Sequence, residues 1–206
     1  MGTSERRTRE KQELRVKIQE AATELIVSEG YQNVSIRKIA DRIEYAPSTI
    51  YLYFKDKEEL VQSICNDLFA QLSTILQQIQ DSPSPIEQKL SSCCRAYIEF
   101  GLAHPNHYVV TFCIPERQFD IADDKFNDVL DSGLSCFRLL SQSLQVAMDA
   151  GFIKPSDIEL TSQIVWSQIH GLTSLLICCD RFPWRDRNDL IDGLIRNIIE
   201  SLQKTG

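Results

Sequence analysis

Apolar residues recur along this chain at intervals of three and four, with charged and amide side chains between them. Leu14, Ile18, Ala21, Ala22, Leu25 and Ile26 keep the i, i+3, i+4, i+7 rhythm of one helical face. Gly30 ends that run, since glycine accepts the left-handed conformation that follows a last turn. Ser35 opens a second helix as its N-cap, and Ile36, Ile39, Ala40 and Ile43 form its buried face. After Glu44-Tyr45-Ala46 comes Pro47, favoured at a first helical position because its missing amide proton costs nothing there. A third helix is therefore predicted over about 47–54, with Ile50 and Phe54 as its buried i, i+4 pair.

Asp56 and Glu59 form a capping box for a fourth helix, carried for roughly 36 Å by Leu60, Ile64, Leu68, Leu72, Ile75 and Ile79. "DSPSP" at 81–85 breaks the pattern. A helix from about Ile86 follows with Leu90, Tyr97, Ile98 and Leu102 on one face. Pro105 and Pro115 bracket a short helix with Tyr108, Val109 and Phe112, and "ERQFDIADD" reads as a loop. A long helix through Phe126, Val129, Leu130, Leu134, Phe137, Leu140 and Leu144 ends at Gly151. Two more are predicted over about 157–180 and 187–203, separated by "DRFPWRD". No strand-like alternation of useful length and no repeat interrupts this, so the fold class is all-α with about nine helices.

Two short helices joined by a three- or four-residue turn are the signature of a helix-turn-helix. The second helix braces, and the third can lie in a DNA major groove with its N-terminal residues at the base edges. Pro47, Ser48 and Thr49 are then free to touch bases, Thr49 offering a hydroxyl and a methyl that suits thymine. Tyr51 and Tyr53, two residues apart, flank the groove, where a ring packs on sugars and a hydroxyl bonds phosphate. Lys57 adds charge at the amides that open the fourth helix. Ser35 and Arg37 are placed to clamp the opposite strand, Arg37 being long enough to reach a guanine.

Net charge changes this picture only once it is located. The 206 residues sum to −7, yet residues 1–57 hold 11 Lys and Arg against 9 Asp and Glu, a net of +2. The remainder holds 11 against 20, a net of −9. A mildly basic head on an acidic body is what is expected if only the head meets a polyanion. No apolar run reaches the roughly 20 residues of a membrane span, and the N-terminal "MGTSERRTREKQELR" lacks a secretory h-region. A cytoplasmic protein without a membrane partner is expected.

"SIRKIADRIEYAPSTIYLYFKDKEEL", with the preceding "AATELIVSEGYQNV", resembles the DNA-binding domain of the TetR family of transcriptional regulators. The resemblance covers about 50 residues, and its TIYxYFxxKEEL core is highly specific. Many members carry glycine where Glu44 stands, a basic residue at Pro47 and a histidine at Leu52. The resemblance implies an N-terminal three-helix DNA-binding domain over 1–57 and a helical ligand-binding and dimerisation domain over 58–206. It also implies that the last two helices pair with their copies as a four-helix bundle, and that a homodimer reads a palindromic operator. The apolar residues from Leu160 to Leu176 and from Leu190 to Leu202 supply the surface for such a bundle.

"AHPNHYVVTF" and "VWSQIHGLTSLL" resemble a C-terminal subclass marked by a Trp-x-x-x-His-Gly element, here Trp166, His170 and Gly171. Trp166 and His170 share a helix face, and Gly171 admits a close helix approach. The implied effector pocket lies inside the body, with Phe69, Tyr97, Phe100, His104, Tyr108, Phe112, Phe137, Trp166 and His170 as candidate walls. A cavity of that character suits a small hydrophobic or aromatic effector whose binding releases DNA, making the protein a repressor.

An alternative is a metal- or redox-responsive regulator using His104, His107, Cys113 or His170. Against it, Pro105 interrupts any helix carrying both His104 and His107, and no metal or other cofactor is expected. The seven cysteines form no CxxC pair and read as small buried hydrophobes. His104 or His170 beside Glu99 or Glu116 could be drawn as a base with its orienter. No nucleophile elbow, phosphate loop or cofactor fingerprint accompanies them, so no enzyme is expected.

Overall fold

The computed structural model describes residues 3–114 and 123–203, with side chains from 5–114 and 127–203. Among these residues it is all-α. The helices are α1 (Thr3–Glu29), α2 (Ile36–Arg42), α3 (Pro47–Ile50), α4 (Lys57–Asp81), α5 (Ile86–Ala103), α6 (Pro105–Tyr108), α7 (Asp123–Asp149), α8 (Ile158–Cys178) and α9 (Arg187–Leu202). A 3₁₀ turn at Tyr31–Asn33 follows α1, and a π turn at Val109–Cys113 follows α6. By contacts the chain divides into two compact units, Met1–Leu68 with Asn106–Leu130, and Phe69–Pro105 with Asp131–Gly206.

The first unit is built on the stripes predicted above. Ile18, Ala22, Leu25 and Ile26 of α1 meet Ile36, Ile39 and Ala40 of α2, Ile50 of α3 and Leu60 and Ile64 of α4 in one core. Val110 of the π turn joins that core, with Ile114 and Val129 packed against it. Gln19, buried on α1, donates to Ser63 Oγ at 3.1 Å and Asp67 Oδ2 at 2.7 Å, satisfying its amide and tying α1 to α4.

In the second unit α5 lies against both α8 and α9. Ser162 and Thr173 are buried on α8, where their hydroxyls donate to the carbonyls of Ile158 and Ile169 four residues back, so no polar group there goes unpaired. Asp157 caps α8 through Leu160 N, and Asp186 caps α9 through Asn188 N and Asp189 N. Lys154 N donates to Leu202 O at 2.9 Å, pinning the loop after α7 to the end of α9. No helix among the described residues is long and apolar enough to cross a membrane.

Several predicted bounds move. α1 starts eleven residues before its first predicted core position. α3 is shorter than expected, because Leu52 N and Tyr53 N bond the carbonyls three residues back at 3.2 and 2.9 Å, tightening residues 51–53 into turns. At the start of α4, Glu59 N bonds Asp56 Oδ1 at 2.7 Å as the capping box predicts, and the Glu59 carboxylate also accepts from Lys55 N at 2.6 Å. The loop predicted over 116–124 lies largely outside the described residues, as does the Phe126 side chain.

Candidate nucleic-acid interface and effector site

Ser35 caps α2, its hydroxyl accepting from Lys38 N at 3.2 Å, and Arg37 stands exposed in the first turn. The chain then turns back through Glu44, whose φ of 62° lies in the left-handed region. Tyr45 N closes this turn on Ala40 O at 2.9 Å. Proline at the first position of α3 fixes its start, and complete burial of Ile50 and Phe54 fixes which side faces in. Ser48, Tyr51 and Leu52 are thereby exposed, and Pro47 and Thr49 half-exposed.

Leu52, 77% exposed, is the feature of this surface that sequence reasoning missed. Its position between inward-facing Ile50 and Phe54 was the available signal. Cations on α1 were also missed. Lys11 Nζ stands 6.0 Å from the centroid of Tyr53, a half-buried ring packed on the core, and Lys17 Nζ stands 5.4 Å from that of Tyr45. Lys57 is not simply a surface charge. Its ammonium donates to Tyr31 O and Val34 O at 3.0 and 3.1 Å and sits 3.8 Å over the Tyr31 ring. It stitches the turn after α1 to the start of α4 while remaining half-exposed.

In the second unit, Tyr97, Phe137, Trp166 and His170 come together. Trp166 Nε1 donates to Tyr97 Oη at 3.2 Å, and Tyr97 Oη lies 3.1 Å from His170 Nδ1. The far side of that ring, Nε2, is 3.3 Å from Ser174 Oγ. Indole can only donate, so Tyr97 Oη accepts from Trp166, while the direction of the Tyr97–His170 and His170–Ser174 bonds depends on the imidazole tautomer. Burial lowers the His170 pKa below its ordinary value.

Phe137 meets Trp166 edge-on at 6.0 Å, and Phe100 pairs with His104 at 4.7 Å. Phe69 lies against α7 at Gly133, where a Cβ would come within 3.1 Å of its ring. Tyr108 and Phe112, which fall in the first unit, pair with each other at 4.8 Å. Among the described residues nothing lies within 4 Å of a Cβ built on Gly171, so no close helix approach is made there within this chain.

Two family models match the chain: "Bacterial regulatory proteins, tetR family" over residues 18–64 and "Tetracyclin repressor-like, C-terminal domain" over 90–198. The second alone spans more than half of the sequence. The chain belongs to the TetR family. Among similar proteins, a fatty acid metabolism regulator protein of Bacillus subtilis is 26% identical over 189 residues, covering 91% of this chain and 92% of its own. The fatty acid degradation regulator of Bacillus halodurans has a similar fold, with a TM-score of 0.77 and 20% identity over 93% of this chain and 97% of that one. A TetR-family regulatory protein from Rhodococcus aligns with a TM-score of 0.78 at 19% identity, over 93% of this chain and 98% of its own. The TetR assignment makes the protein a DNA-binding transcriptional regulator with a helix-turn-helix.

Its cysteines behave as core residues where they are buried. Desolvation pushes the Cys65 thiol up to about 11 and that of Cys94 to about 12, and also raises Cys93 and Cys136. Cys178 and Cys179 are exposed at the end of α8. Among the described residues no three His, Cys, Asp or Glu side chains are grouped to hold a metal ion.

Proposed function

We propose that this TetR-family protein is a homodimeric repressor that binds a palindromic operator through Pro47, Ser48, Thr49 and Tyr51 and is released by a lipophilic small molecule. The observation that carries the reading is the division of residues 47–54, with Ile50 and Phe54 wholly buried and the hydroxyl-bearing residues turned outward. Ser35 and Arg37 act on the phosphates of the opposite strand, and Tyr53 supports the groove edge. Half-sites one helical turn apart, ~34–36 Å, require two subunits.

Support for the dimer comes from α8. Leu160, Ile164 and Leu175 recur on one face and are 56%, 51% and 47% exposed, an apolar stripe that a second subunit would cover. Gly171 stands on the same helix with open space at its Cβ. The C-terminal domain reads as the Trp-x-x-x-His-Gly subclass, with Trp166 and His170 fixed by Tyr97 as the polar end of an otherwise aromatic effector site. Relatives named for fatty acid metabolism make acyl compounds the first class to test. An effector shifts the protein off DNA only by binding two states unequally, and ~2–3 kcal/mol of difference gives a useful change.

The test is selection of bound sequences from a random duplex pool by the full-length protein, followed by operator titration with fatty acids and acyl thioesters. Recovery of a palindrome, with its affinity reduced by one compound class, is expected. A monomeric protein that enriches no sequence overturns the reading.

A further inference from the structure

We propose that the exposed first turns of α1 form a second phosphate-binding element, in which Arg7 and Lys11 hold the DNA backbone flanking each half-site. The inference rests on the DNA-binding reading above and adds residues which that reading does not use.

α1 begins at Thr3, but its first residue packed on the core is Leu14 and its first fully buried one is Ile18. About three turns therefore precede the core, continuous with the anchored helix. At 3.6 residues per turn, positions 7, 11, 14, 18 and 25 fall within about 40° of one line. Leu14, Ile18 and Leu25 are the apolar part of that line, packed on or buried in the core, and Arg7 and Lys11 extend it past the core's end. The stripe changes from apolar to cationic where the core stops.

Three other cations of α1 are ion-paired, and Lys17 is turned to Ile43 O and the Tyr45 ring, whereas Arg7 and Lys11 have neither a backbone nor a carboxylate partner among the described residues. Arg6 pairs with Glu10 at 2.7 Å and Arg9 with Glu13 at 3.5 Å, on other sides of the helix. Arg15 pairs with Asp67, Lys38 with Glu29 and Arg42 with Glu24. Arg7 and Lys11 are exposed and have no carboxylate partner among the described residues, and Glu5, Glu10 and Glu13 all lie off their stripe. Lys11 is also located. Its ammonium stands 6.0 Å from the Tyr53 ring, directly after the outward-facing residues of α3, and Arg7 follows one turn further out. Two unneutralised cations in line with the recognition surface, on a chain of net charge −7, match the phosphodiester backbone as their counter-charge.

The experiment uses the full-length protein and the duplex recovered by selection, and compares Arg7→Gln/Lys11→Gln with Arg6→Gln/Arg9→Gln. Both pairs remove the same charge from the same helix, and glutamine keeps its helix propensity. Each phosphate contact contributes about 0.9 to the slope of log K against log salt, so a dimer losing four contacts should show a slope shallower by about 3–4. Binding at about 0.1 M salt should fall at least tenfold, with helicity and Tm unchanged. The control pair should shift the slope by less than about one. Equal shifts in the two variants, or none in the first, overturn the proposal while leaving the DNA-binding reading in place. A wild-type protein that binds no duplex overturns both.

Discussion

Tyr97→Phe deletes one oxygen and leaves its ring in position. That oxygen accepts from Trp166 Nε1 at 3.2 Å and shares a hydrogen bond with His170 Nδ1 at 3.1 Å, so two hydrogen bonds are lost together. A net contribution of roughly 0.5–1.5 kcal/mol each puts the loss near 1–3 kcal/mol. Trp166 and His170 are both partly open to water, which recovers some of this, so about 1–2 kcal/mol is expected. For a chain of this size that corresponds to a fall in Tm of about 3–6 °C, measured at one protein concentration because association shifts apparent stability. Trp166→Phe removes only the first bond, together with part of the edge contact to Phe137. In the double variant the shared bond should appear as a coupling of about 0.5–1.5 kcal/mol. Additivity within about 0.3 kcal/mol would refute the network.

Burial of His170 fixes the sign of a pH effect, because it lowers the imidazole pKa below the ordinary 6.5. The unfolded chain therefore takes up the proton near 6.5 and the folded chain only at lower pH. Within that window the unfolded state binds more protons, so stability falls as pH falls below about 6.5 and is unaffected by this group above it. His170→Gln should flatten that part of a Tm-against-pH profile. A variant profile parallel to wild type between about pH 7 and 5.5 would show that another group titrates there.

Three further outcomes follow from particular contacts. Glu44→Gly should raise Tm by about 2–4 °C, since relief of about 1–2 kcal/mol of left-handed strain exceeds the ~0.5–1 kcal/mol entropic cost of glycine; a lower Tm by calorimetry would mean that the turn is not strained. Lys57→Met should destabilise the protein by about 2–3 kcal/mol in urea melts, because the Tyr31 and Val34 carbonyls lose a charged donor. A change confined to DNA affinity, with stability intact, would make Lys57 a DNA contact alone. With a thiol reagent at about pH 8, Cys65, Cys93, Cys94 and Cys136 should stay unreacted until the protein unfolds, because burial holds them as thiols, whereas exposed Cys178 and Cys179 remain open to attack. More than three fast thiols on the native protein would contradict that burial.

The helix-turn-helix was readable because short-range rules decide it. Ser35 as a cap, Pro47 as a start and the Ile50–Phe54 spacing each act within one turn of helix, and together they determine which residues are left outside. Longer-range contacts were not readable in this way. Lys57 looks like any cation at a helix start, and only the folded turn places two carbonyls and the Tyr31 ring around it. The length of α1 was missed for a related reason: residues 3–13 carry no apolar stripe, so periodicity is silent there although the helix continues.

The proposed effector site shows the limit of periodicity most clearly. Tyr97, Trp166 and His170 were singled out as aromatic and polar residues on helices, yet what unites them is a hydrogen-bond chain joining positions 69 and 73 residues apart. Tyr108 and Phe112 had the same local appearance. They fall in the unit whose core includes Val110, where the chain passes from α6 into the π winding of Val109–Cys113. Local pattern thus reports that a face is buried, and the burying partner is decided by contacts far along the chain. For the same reason the candidate walls are better tested through the Tyr97 hydroxyl, which bonds both Trp166 and His170, than through any aromatic ring taken alone.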